Sequence, residues 1–186
     1  MALSDAPTNE LSELHALVEG ALRAAQAHPT AETTRKERHK ARSRHFVLAL
    51  ADALREHEGG DVDALSRYHD NVRPRLGTGE LLHDITISRS LQLGEHWYIT
   101  EVLWQVESEL SLDRTDAVQD FNKLVLGSAH HKLFVASMVP EPDSLLRTLE
   151  PAAARCTGRV FMALIPHPDH WDGDTAGGVR TWQFRR

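Results

Sequence analysis

Glu107-Ser108-Glu109 closes the run Tyr98-Ile99-Thr100-Glu101-Val102-Leu103-Trp104-Gln105-Val106. The run is rich in β-branched and aromatic residues and reads as a strand. Side chains alternate along a strand, so Glu107 and Glu109 share a face, about 7 Å apart. Two carboxylates at the end of an apolar strand repel each other unless water, a cation or a proton lies between them. A divalent cation held by oxygen ligands is one solution. A strand end emerging into water is the other, and this segment by itself does not choose between them.

The flanking residues bear on that choice. Gly79 to Ser88 is a second strand candidate and carries Asp84, and Leu91 to His96, with Gly94 inside it, is the expected turn. A hairpin centred between Glu95 and His96 sets Asp84 opposite Glu107, with Cβ atoms about 5 Å apart. A one-residue slip or a bulge would break that alignment. Downstream, Asp113 to Gly127 reads as a helix, with Asp113 as N-cap and Gly127 as the stop. Ala117, Val118, Phe121, Leu124 and Val125 form its apolar stripe. Lys123 lies beside the stripe, where it either pairs with Asp120 or Gln119 in solvent or reaches back toward the carboxylates.

Asp84, the strand end Val106-Glu107-Ser108-Glu109 and the helix segment Asp120-Phe121-Asn122-Lys123-Leu124 together resemble the PD-(D/E)XK nuclease superfamily. The likeness is nearest to its small single-domain, restriction-endonuclease-like proteins, and spans Leu81 to Pro166. The resemblance implies a Mg²⁺-dependent (or Mn²⁺-dependent) endonuclease that hydrolyses nucleic-acid phosphodiester bonds, DNA favoured. Asp84 and Glu107 would bind the metal directly, and Glu109 would support them or hold a second ion. Lys123 would orient the attacking water or stabilise charge at phosphorus. Gln105, on the same strand face, would either support the site by hydrogen bonding or simply face solvent.

Two departures stand beside the likeness. The superfamily places a lysine two residues after the glutamate, where this chain has Glu109, so Lys123 would have to substitute from the helix. His83 precedes Asp84 in place of the proline that names the motif. An alternative of a different class is therefore a non-catalytic nuclease-like fold, serving as a nucleic-acid-binding or protein-interaction module. A hydrolase of another phosphate ester is a third.

The chain has 186 residues and a formal net charge of −6, enough for one well-filled core and not basic overall. Arg35, Lys36, Arg38, Lys40, Arg42 and Arg44 nevertheless crowd one stretch, with only Glu37 opposing. Such a stripe either contacts phosphates in a salt-sensitive manner or forms a solvated helix face. The single Cys156 excludes an intramolecular disulfide and suits a reducing cytoplasm. No membrane-spanning run or signal-peptide pattern is found, and a homodimer is compatible with these expectations. His130-His131 either caps the end of the Lys123 helix, where the dipole favours positive charge, or approaches a phosphate. His167-Pro168-Asp169-His170, with Asp172 nearby, lacks a second regular pair of ligands and reads as a surface loop rather than a zinc motif.

The elements that must position these residues form one domain of the α/β class. Its expected core is a restriction-endonuclease-like mixed sheet flanked by helices, over residues 61–186, preceded by a helical segment over 1–60. Leu11, Leu14, Val18 and Leu22 mark a first helix. A second is expected from a Thr30 cap to about His57, its basic early part projecting into solvent and its apolar face confined to Phe46, Val47, Leu50 and Leu54. Asp61 to Tyr68 reads as a short helix, followed by a loop with Pro74, Gly77 and Gly79. After the Lys123 helix, His131 to Met138 reads as a buried strand in a right-handed parallel crossover. Asp143 caps a further helix to about Ala154, and Arg159 to Ile165 forms another apolar strand. Trp182 and Phe184 dock the tail as an edge strand.

Overall fold

The computed structural model describes residues 9–29, 31–32, 34–69, 76–77, 81–172 and 178–185. Helices α1 (Asn9–Ala27) and α2 (Arg35–Glu58) lead into six strands: β1 (Asp63–Leu65), β2 (Ile85–Leu93), β3 (His96–Glu109), β4 (His131–Ser137), β5 (Arg159–Ile165) and β6 (Arg180–Phe184). Helix α3 (Arg114–Leu126) joins β3 to β4, and α4 (Pro142–Ala153) joins β4 to β5. The strands lie in sequence order in one sheet. The β3–β4 and β4–β5 pairs are parallel and the others antiparallel. The α/β class, the mixed sheet, the parallel crossover and the edge strand at Trp182 and Phe184 are as expected.

Alternation along the central strands separates two apolar layers. Leu133, Val135, Phe161, Ala163 and Ile165 pack with α1 and α2 on one face. Phe134, Ala136, Val160, Met162 and Leu164 pack with α3 and α4 on the other. The helices therefore sandwich the sheet, and the polar side chains that interrupt either layer stand out.

Several local expectations change. The expected Thr30 cap lies outside the described residues. Helix α2 starts at Arg35, and the Thr34 hydroxyl accepts the Glu37 backbone N–H at 3.2 Å, an N-cap that satisfies one orphan donor of the first turn. Its basic half is not simply solvated. Arg42 is buried, donating to the Pro168 carbonyl and to Asp172, and Arg35 donates to Asp169. The 3₁₀ turn Pro168–His170 after β5 supplies Pro168 and Asp169, and Asp172 follows it.

Residues 63–65 form an edge strand rather than a helix, because Asp63, Ala64 and Leu65 pair with Ser88, Ile87 and Thr86. Strand β2 begins at Ile85, not Gly79, which with Glu80 and Pro74 lies outside the described residues. Helix α4 begins at Pro142 with Glu141 as N-cap, so Asp143 sits within its first turn and does not cap it.

The hairpin reaches the expected alignment by another route. Its tip pairs Leu93 with His96, so the turn is Gly94-Glu95, one residue tighter than a turn centred between Glu95 and His96. Two register shifts follow, with Thr100 and then Leu103 as extra residues of β3. Each extra residue moves the register by one. Beyond both bulges Ile85 pairs with Val106, the register that carries Asp84 toward Glu107. The second bulge also lets the consecutive residues Leu103 and Trp104 both enter the α1/α2 core.

Candidate metal-dependent catalytic site

Strand β3 places Gln105, Glu107 and Glu109 on the α3 side of the sheet, where β4 presents the buried Lys132 beside Gln105 and the apolar Phe134 and Ala136 beside Glu107 and Glu109. Glu107 pairs with Phe134, and Phe134 with Met162. Burying a carboxylate in such a layer is costly unless its oxygens are satisfied. Glu107 is fully buried. Its Oε2 accepts from Lys123 Nζ at 3.0 Å, whereas Oε1 is buried without a hydrogen-bond partner. Burial, reinforced by the nearby Asp84 and opposed by Lys123, pushes the Glu107 carboxyl up to about 8.

Asp84 enters from the segment just before β2. Its Oδ2 accepts both the Ser108 backbone N–H (2.9 Å) and the Ser108 hydroxyl (2.8 Å), which fixes the carboxylate beside the Glu107 backbone. Ser108 points to the sheet face opposite Glu107, yet its main-chain N–H and short side chain let it hold Asp84 at the strand end.

Lys123 comes from α3, whose start is capped by Asp113 accepting from Thr115 N at 2.7 Å. Ala117, Phe121 and Leu124 seat the helix on the sheet, so Asp120 and Lys123, three apart, both overhang β3. The Lys123 ammonium is 2.7 Å from Asp120 Oδ1 as well as 3.0 Å from Glu107 Oε2. Both alternatives drawn from sequence, local pairing and the reach toward the strand carboxylates, hold together. Burial opposes its charge, but the bonds to Asp120 and Glu107 outweigh this and hold its pKa above the usual lysine range.

Glu109 shares the face but turns elsewhere. Its Oε1 accepts the Ser111 backbone N–H at 2.5 Å. Burial, with Asp120 adding to it and Ser111 opposing, raises its pKa. One oxygen each from Asp84, Glu107 and Glu109 do not lie within 4.8 Å of one another. Asp84 is near enough to Glu107 to raise its carboxyl, while Glu109 interacts with Asp120. Gln105 is not solvent-facing: its Oε1 accepts the Ala129 backbone N–H at 3.1 Å.

Two contributors were not assigned from sequence. His83 is buried, and its Nε2–H donates to the Lys123 carbonyl at 3.0 Å, tying the segment that carries Asp84 to the helix that carries Lys123. Burial, opposed by the bond to the Lys123 carbonyl, holds it below the usual histidine range. Nothing in the spacing signals this contact, which crosses from one element to another. Asp120 was visible only as a local partner of Lys123.

The basic stretch lies on α2, across the sheet from α3. Lys36, Lys40 and Arg44 are exposed there and Arg38 is half-buried, while Arg35 and Arg42 are engaged with the Pro168–His170 turn. That turn follows the C-terminal end of β5, and Glu107 and Glu109 lie at the C-terminal end of β3. The carboxylates and the basic half of α2 thus occupy the same end of the sheet on opposite faces.

The residues that would hold a divalent ion are Asp84 and Glu107, an all-oxygen set in which Glu107 Oε1 is buried without a partner and Asp84 Oδ2 accepts from Ser108. Among the described residues no helix is long and apolar enough to cross a membrane. Comparison with protein-family models, curated proteins and solved structures finds no match for this chain.

Proposed function

We propose that the protein is a Mg²⁺-dependent endonuclease acting on nucleic acid, DNA in preference. The observation that carries this reading is Glu107, a buried carboxylate with one oxygen held by Lys123 and the other without a partner, beside an Asp84 fixed by Ser108. The likeness of Asp84, Glu107 and Lys123 to the PD-(D/E)XK pattern supports it, with the lysine supplied by α3. The placement of Lys36 and Lys40 at the same end of the sheet supports a polyanionic substrate.

Asp84 and Glu107 would hold the ion, which supplies charge neutralisation at a phosphoryl oxygen and a lowered pKa for a bound water. Lys123, fixed between Asp120 and Glu107, is a permanent cation at neutral pH and would act as a donor toward the attacking water or a non-bridging phosphate oxygen. Asp120 keeps that ammonium in place. His83 orders the Lys123 backbone, and Gln105, through Ala129, orders the loop that follows α3.

The test is plasmid cleavage with Mg²⁺ or Mn²⁺, comparing the protein with Asp84→Asn and Lys123→Met, alongside a crystal soaked in Mn²⁺. Metal-dependent nicking lost in both variants, and anomalous density between Asp84 and Glu107, are expected. Absence of cleavage with an empty carboxylate pair would replace this reading by a non-catalytic binding module on the same fold.

A further inference from the structure

Away from Glu107, α2 brings His39 against His167 and Asp169 of the turn after β5. The His39 and His167 rings meet edge to face with centroids 5.1 Å apart. One nitrogen of each ring and one Asp169 oxygen all lie within 4.8 Å of one another. His167 Nδ1 is 3.4 Å from Asp169 Oδ2. Two ligands of a tetrahedral ion with bonds of about 2.0–2.1 Å are separated by about 3.4 Å, so this edge already has the required length.

The surroundings favour a built corner over a chance meeting of surface side chains. The buried Arg42 clamps the two segments, donating from α2 to the Pro168 carbonyl and to Asp172. All three candidate ligands are half-buried. His167 Nδ1 accepts the Asp169 backbone N–H at 3.2 Å, a bond that holds the ring beside Asp169 and that an ion bound at this nitrogen would replace. Burial, opposed by Asp169, holds both imidazoles below the usual histidine range. The Arg35 guanidinium now sits on Asp169 Oδ2, with its Nε at 2.8 Å. Its side chain is 79% exposed, so an ion can displace it cheaply.

We propose that His39, His167 and Asp169 form a site for a divalent transition ion, zinc above all, bound by two imidazole nitrogens and one carboxylate oxygen. Imidazole selects such ions over Mg²⁺, which the oxygen-only Asp84–Glu107 pair favours. Three protein ligands leave a fourth position for water. His167 also lines a cavity of about 460 Å³ with His170, Met138 and Arg180. The bound ion would pin the basic half of α2 to the end of the sheet. The ligand set was hidden in the sequence because the His167–His170 run supplies only one side of the site, and its completing histidine lies on α2.

Zinc titration of the metal-free chain, followed by calorimetry and by thermal melting, tests this. Cobalt substitution adds the visible absorption of a tetrahedral ion as a second readout. One zinc per chain is expected, weakened at least about tenfold by His39→Ala and by His167→Asn, which keeps an acceptor for the Asp169 N–H. Arg35→Ala is expected to tighten zinc a few-fold by removing the competing cation, a gain that a misfolded variant cannot mimic. Glu107→Gln is expected to leave zinc binding unchanged. Equal zinc binding in the chain and in both histidine variants would overturn the proposal, as would binding lost on Glu107→Gln or weakened on Arg35→Ala. Failure of the nuclease reading would leave these outcomes untouched, since none involves Mg²⁺ or cleavage.

Discussion

Replacing Glu107 by glutamine should stabilise the metal-free protein, and by an amount that grows with pH. The buried carboxyl titrates at about 8 against an ordinary 4.5. The folded state thus binds this proton more tightly than the unfolded chain. The associated stability is fully present below the ordinary value and is lost as pH rises toward 8. Linkage over that interval makes ionisable Glu107 cost the fold about 1 kcal/mol at pH 5 and about 4 kcal/mol at pH 8. Glutamine keeps the shape and an acceptor for Lys123 without the titration. The excess stability of Glu107→Gln should therefore rise by about 3 kcal/mol between the two pH values, or roughly 6–12 °C in melting temperature for a chain of this size.

Using the difference between the two proteins removes the other titrations, including the buried histidines, whose lowered pKa values act in the opposite direction. Lys123 stays charged throughout the window and cancels. Denaturant melts at pH 5 and pH 8, repeated with Mg²⁺, make the assay. At pH 8 Mg²⁺ at a hundredfold excess over its dissociation constant should return about 2.7 kcal/mol to the native sequence and nothing to the variant. A flat difference across pH would refute the buried, destabilised acid. Equal Mg²⁺ stabilisation of both proteins would place the ion elsewhere.

Lys123→Met should lower cleavage by roughly 10²–10³-fold while Mg²⁺ still raises the melting temperature, so retained cleavage would remove Lys123 from the mechanism. Arg42→Ala should cost about 2 kcal/mol in urea melts because a buried donor to Pro168 and Asp172 is lost, whereas Lys36→Ala should change stability by less than about 0.5 kcal/mol. The paired change Lys36→Glu with Lys40→Glu should weaken DNA binding and flatten its salt dependence, and an unchanged salt slope would exclude this helix from the interface. Gly127→Ala should destabilise by about 1–3 kcal/mol, since a Cβ there overlaps the Gln105 carboxamide. Combining it with Gln105→Ala should cost less than the two separate losses added together.

What could be read from sequence follows the range of the interactions involved. Alternation in β3 to β5, the Asp113 cap and the Phe121–Leu124 stripe are local patterns, and each marks a real element. The Asp84–Glu107 alignment was legible although the turn was misplaced, because the tighter Gly94-Glu95 turn and the bulges at Thr100 and Leu103 compensate one another. Gly127 was read correctly as a stop but for a different cause. Its φ of −86° needs no glycine, and the close Gln105 side chain does. The contacts that escaped are those between distant segments: His83 on the Lys123 carbonyl, and Arg42 and His39 on the turn after β5. β1 escaped for another reason. Three residues are too few to show a period, and only pairing with β2 makes them a strand.

The neighbours of Glu107 favour a ligand there. Along the α3/α4 face, β4 presents Lys132, Phe134 and Ala136, and Lys132 donates to the Gly127 carbonyl and the Thr157 hydroxyl. On the same face β5 presents Met162 and Leu164, while β3 presents Gln105, Glu107 and Glu109. The outer two of these three find backbone donors, at Ala129 and Ser111. Only Glu107, the most buried, keeps an oxygen without one. A fold selected for stability alone would carry an apolar side chain beside Phe134, so a destabilising residue here supports the proposed ion at Glu107. Glu107→Leu should then raise the melting temperature at pH 8 and abolish both the Mg²⁺ response and cleavage. A Leu variant less stable than the metal-free native sequence at that pH would show that Glu107 serves the fold, through Lys123, and not a ligand.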